Sequence, residues 1–149
     1  MLTGLLHLHS SLRYVVLFAL IYAIVSGFRG GQNAVLGKER RPYLVAMIFA
    51  HIQLLLGLVL YFVGSNGLVA FNDYLALGGS ILGPLGFFGI FHALLMVCAI
   101  TLITIGHSKA KKGAHHARIA IFMLIALILV LVAIPWPFYG LHRGLFPGM

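Results

Sequence analysis

The chain has 149 residues, of which 62% are hydrophobic and only 8% charged, with a formal charge of +8. A water-soluble domain carries about a quarter charged residues, so too few are present here to coat a water-facing surface. A mean hydropathy of +1.09 points the same way, to lipid as the main solvent. The ten Lys and Arg residues oppose two acids, Glu39 and Asp73. They concentrate in two short stretches between apolar runs, where they read as topology signals rather than as a nucleic-acid surface. One cysteine, Cys98, lies inside an apolar run and excludes an intrachain disulfide.

A bilayer core needs about 20 apolar residues in a helix. Four runs meet this: Leu5 to Phe28, Tyr43 to Val63, Pro84 to Ile105 and Ala117 to Ile134. They are apolar all round, which favours helices over the alternating strands of a membrane barrel. The first run lacks a basic segment before it and a small-residue cleavage site, and so reads as a retained helix rather than a signal peptide. Arg29, Gly30 and Gly31 close the first helix. Pro42 and Pro84 suit the first turns of the second and third, where a missing N–H costs nothing. Pro135 and Pro137 end the fourth, and Trp136, Phe138 and Tyr139 fit the headgroup level. The expectation is one all-α transmembrane domain, residues 1–149, built as an up-down-up-down four-helix bundle.

The loops set its orientation. Arg29, Lys38, Arg40 and Arg41 mark the first loop, and Lys109, Lys111, Lys112 and Arg118 mark the third. The middle loop, Gly64 to Gly83, has no Lys or Arg and contains Asp73. The positive-inside rule places loops one and three in the cytoplasm and both termini outside.

Eight histidines stand out in so apolar a chain. Ionisable groups inside a membrane are costly and are functional candidates by default. His51 and His92 each lie about eight residues into their helices, so both imidazoles fall in the middle third of the membrane. Two facing imidazoles at that depth can ligate one heme iron. Gly86 and Gly89 before His92, and Gly57 after His51, offer room for a macrocycle or close helix packing. His9 lies near the outer end of the first helix, with Arg13 one turn further on the same face. A cation at that depth seeks an anion, and a heme propionate or a lipid phosphate would serve. His107 stands 15 residues after His92 at the other end of its helix, as a candidate with His9 for a second heme centre. His115 and His116 read as interfacial residues of a basic loop. His7, His9 and His142 form a weak copper or zinc alternative, with no thiolate or carboxylate beside them. The acids sit in loops, and no nucleophile or phosphate-binding motif is present, so an electron carrier fits better than a stand-alone enzyme.

The stretches LLHLHSSLRY, FAHIQLLLGLVLYF, FHALLMVCAITLITIGHSKAKK and IAIFMLIALILVLVAIPWPF resemble a family of small four-helix bacterial membrane proteins labelled cytochrome b in Bacteroidota-type genomes. The similarity spans all four helices and includes His7, His9, His51, His92 and His107. It departs at Phe91, where the family has an acid. The resemblance implies heme b, a place in the bacterial cytoplasmic membrane, and electron transfer between a quinol pool and other membrane subunits. The contrasting expectation is an accessory subunit of a respiratory or photosynthetic complex, with the histidines packing helices or ligating a pigment.

The orientation has a direct test. In a Cys98→Ala background, single cysteines at Lys38 and Lys111 should resist an impermeant thiol reagent in intact cells, whereas one at Asn66 should label. The reverse pattern would invert the topology.

Overall fold

The computed structural model describes residues 2–141. Helix α1 spans Leu2–Gly30 and ends where Gly31 takes a φ of 56° and returns its N–H to the Gly27 carbonyl at 3.2 Å. That left-handed turn is open to glycine at little steric cost. A 3₁₀ turn at Gly37–Arg40 leads into α2, Arg41–Val63, with Pro42 in its first turn. Helix α4, Pro84–Lys111, and helix α5, His116–Ala133, complete the four spans. With the end at which α1 begins and α5 finishes labelled the outer end of the bundle and the opposite one the inner end, Trp136 closes α5 at the outer end by donating from Nε1 to the Leu131 carbonyl at 2.8 Å.

The middle connection is not the plain loop its composition suggests. A kinked turn at Ser65–Val69, broken at Gly67 (φ −110°, ψ −110°), leads into a short helix α3, Ala70–Leu77, which stops at Gly78. Eight residues cannot cross a bilayer, so a search for spans of about 20 residues passes over this segment. It packs on the outer end of α4, where the backbone of Phe71 lies 2.8 Å from the place a Gly89 Cβ would occupy.

The four spans pack in a ring. α1 lies against α2 and α5, and α4 lies against the same two. α1 and α4 therefore face each other across one diagonal, and α2 and α5 across the other. Small residues line the contacts: Ala19, Ala23 and Gly27 on α1, Ala46 and Ala50 on α2, Ala99, Gly106 and Ala110 on α4, and Ala120 and Ala126 on α5. Small side chains let membrane helices approach closely, since lipid gives no hydrophobic drive to associate. Leu20, Ile103, Ile119 and Met123 fill the centre and are fully buried.

Only 22–39% of each span's most apolar window is buried inside the bundle. The remaining apolar surface has to be covered by lipid, and the chain is a multi-pass membrane protein.

Gly27 tests the packing. A Cβ there would lie 2.7 Å from Ala120 Cβ and 3.1 Å from the His116 carbonyl oxygen. Gly27→Ala should destabilise the bundle by about 1–3 kcal/mol, read as a lower Tm in detergent. Gly4→Ala, with nothing within 4 Å, should leave Tm unchanged.

Candidate functional site

Two polar centres occupy opposite ends of the bundle. The outer one joins α1 to α4 across their diagonal. The rings of His9 and His92 lie 6.4 Å apart, centroid to centroid, with planes inclined at 68°. His92 donates from Nδ1 to the Ala133 carbonyl at 2.7 Å, at the free C-terminal end of α5. That bond fixes its tautomer and leaves Nε2 with a lone pair. His9 Nδ1 is buried without a hydrogen-bond partner in the protein.

Several residues of α2 brace this centre. Gln53 donates from Nε2 to the His9 carbonyl at 2.9 Å. Gly57 lies under the His9 ring, where a Cβ would come within 3.2 Å of Cε1. Tyr61 donates to the Gly89 carbonyl at 2.9 Å. Gly89 belongs to a π-helical turn, Phe87–Phe91, that runs directly into His92. Each residue advances a helix by about 100°, so a widened turn resets the direction in which the following side chain points. Gly86 and Gly89 meet the backbones of Ile81 and Phe71 rather than an open space. Arg13 follows His9 by one turn, with Nη2 3.1 Å from the Tyr14 hydroxyl and its guanidinium 4.9 Å above that ring.

Depth alone suggests His51 and His92 as a pair, but the imidazole beside His92 is that of His9, at 6.4 Å, with the Phe87 ring at 6.2 Å. His51 bonds through Nδ1 to its own helix, at the Met47 carbonyl, 2.8 Å away. It lines a cleft of about 280 Å³ between α2 and α4 with Leu54, Val97, Ile100, Thr101 and Thr104. His107 is buried near the inner end of α4, and its Nε2 has no hydrogen-bond partner. Lys111, Arg40 and His51 lie within electrostatic reach of it. His9 and His107 are at opposite ends of the bundle. His142 lies outside the described residues, and among those described no group of three or more His, Cys, Asp or Glu converges on a metal position.

The inner centre crosses the other diagonal. His116, the first residue of α5, is buried; its Nδ1 lies 2.7 Å from the Tyr43 hydroxyl and its Nε2 3.4 Å from Glu39 Oε2. A carboxylate only accepts, so Nε2 carries the proton and Nδ1 accepts from Tyr43. Gly30 gives the imidazole its place, since a Cβ there would collide with the ring. Backbone bonds from Val35 to Ala114, from His116 to Asn33 and from Ala117 to Gly31 tie the two basic loops together beside it. Exposed His115 takes part through an isolated bridge to Ala34. Sequence reasoning left His116 in the loop. The available signal was Tyr43 and His116 opening two helices at one level, with Gly27 and Gly30 spaced three apart on a third.

No family model matches the chain, and no curated protein or solved structure matches it.

Tyr43→Phe removes the hydroxyl and leaves buried Nδ1 of His116 unpaired, a loss of about 1–3 kcal/mol. The Tm in detergent should fall accordingly. Glu39→Gln should cost less, because that carboxylate is more than half exposed.

Proposed function

We propose that the chain is a heme-b-binding electron-transfer protein of the bacterial cytoplasmic membrane. The observation that carries this reading is the His9–His92 pair facing across the bundle diagonal at 6.4 Å. A metal–imidazole nitrogen bond is about 2 Å long, so two imidazoles that would hold one iron between them need a centroid separation on the order of 6 Å. The donor chemistry also fits. The Nδ1–H of His92 is held by a backbone carbonyl, the usual device that orients a ligating imidazole and raises its basicity. Buried Nδ1 of His9 lacks a protein partner, and Gly57 gives that imidazole its place against α2. Arg13, one turn from His9, supplies a fork that matches a carboxylate. A heme held there would supply one-electron redox chemistry. The chain's own part is to orient the ligands, exclude water and tune the potential.

On this reading His9 and His92 would hold the heme iron and Arg13 would face a propionate. His51, expected at iron from its depth, and His107, a candidate for a second centre from its spacing after His92, would serve elsewhere. Electrons would come from quinol and pass to another membrane subunit, with both termini on the periplasmic side. The inner Tyr43–His116 contact favours a second reading, since it shows histidine holding helices together in this same fold. In that case the chain is an accessory subunit of a larger membrane complex and purifies colourless.

His9→Ala and His92→Ala should each abolish the low-spin absorbance of the purified protein, and His115→Ala should leave it intact. If both core variants keep the full spectrum, the pair is a packing contact. Arg13→Leu removes a cation beside the site, which favours the more positive, oxidised state. The midpoint potential should fall by tens of millivolts, on the order expected for a screened charge at an effective dielectric of about 20. Arg13→Lys should move it less.

A further inference from the structure

The cleft between α2 and α4 lies outside the His9–His92 centre, at the depth where His51 sits, ten residues into a span of 23. Its volume of about 280 Å³ suits a single substituted ring and is too small for a macrocycle. Val97 and Thr101 are exposed on the bundle surface, so the cleft is entered from lipid.

The polar lining has one sense. Met47 O can only accept, so His51 Nδ1 carries the ring proton and Nε2 of the uncharged imidazole presents a lone pair. Thr101 donates to the Val97 carbonyl at 2.8 Å and Thr104 to the Ile100 carbonyl at 2.7 Å. Each hydroxyl proton is spent on the helix, leaving oxygen lone pairs. The three polar side chains of the cleft therefore all accept. The rest of the lining, Leu54, Val97 and Ile100, is apolar. A ligand that enters from lipid and matches this wall must bring its own O–H donors on a flat apolar body.

We propose that this cleft binds the head group of a membrane-soluble hydroquinone in its reduced form, with one phenolic O–H donated to His51 Nε2. The oxidised quinone has two carbonyl acceptors and no donor, so it meets the same wall without a hydrogen bond. Such a site takes up the reduced ligand and releases the oxidised one. Use of this ligand as an electron source rests on the heme reading above; its binding rests on the cleft alone.

The full chain in lipid nanodiscs, dialysed without oxygen against duroquinol, duroquinone and the dimethyl ether of duroquinol, tests this. Duroquinol should bind saturably above protein-free nanodiscs. Duroquinone and the ether should bind roughly tenfold more weakly, the value of one hydrogen bond to a partly buried partner. His51→Leu should lower duroquinol binding to the level of the ether while leaving heme absorbance unchanged. Thr104→Val provides a second variant and should weaken duroquinol binding several-fold. Equal binding of the three compounds, or no saturable binding, overturns the proposal. Loss of heme absorbance in His51→Leu also overturns it, because His51 would then be an iron ligand. A colourless protein that still prefers duroquinol removes the heme reading and supports the hydroquinone site.

Discussion

A polar group inside a bilayer has no water to turn to, so every one must find its partner within the protein or in a bound molecule. The whole interior of this chain is arranged around that requirement. Backbone groups are satisfied by the four helices themselves. Two pairs of polar side chains face each other across the bundle, His9 with His92 toward the outer end and Tyr43 with His116 at the inner end. Each pair spans a diagonal of the ring, and the two pairs use different diagonals. Adjacent helices touch through small apolar residues and through the Gln53, Tyr61 and His92 bonds to backbone carbonyls, while the two ring pairs reach between helices that do not adjoin. The bundle is thus cross-braced at both ends.

Glycine at a few positions makes the bracing possible. Gly27 and Gly30 let α5 approach α1 closely enough to seat His116, and Gly57 does the same for His9 on α2. These contacts differ in what they leave over. At the inner end each imidazole nitrogen of His116 faces a partner. At the outer end a buried nitrogen of His9 is left without one in the protein. An unsatisfied polar atom inside a membrane costs several kcal/mol, so His9, unlike His116, has a nitrogen left to offer a ligand, as buried His107 does near the inner end.

The number of spans and the bundle were legible because hydropathy over about 20 residues reports them directly. Span ends were legible to within a few residues on α1 and α5, where glycine and proline mark them. α4 runs on past Ile105 to Lys111 because His107, Lys109 and Lys111 lower the hydropathy without breaking the helix. Among the histidines, depth was readable from residue counts, but azimuth was not. The π-helical turn before His92 shifts its phase, and no residue in FFGIF signals one. The α3 segment was missed for a related reason: its contact with Gly89 is made by backbone, which no side-chain pattern announces. His116 was misplaced because a basic loop hides a buried residue at the very start of a helix.

Between the two polar levels the ring is filled by Leu20, Ala50, Ile103 and Met123, each fully or almost fully buried. By residue count this apolar slab separates His116 from His92 by on the order of 25 Å along the helices. His51, at the level of the slab, lines the outward cleft instead of its interior. The slab behaves as the dielectric of a capacitor, with the membrane voltage dropping across it. Carrying a unit charge through the full voltage takes about 2.3 kcal/mol for each 100 mV, in addition to the cost of placing a charge among those side chains. A charge passing from one polar level to the other would have to meet that cost among the described side chains of the slab.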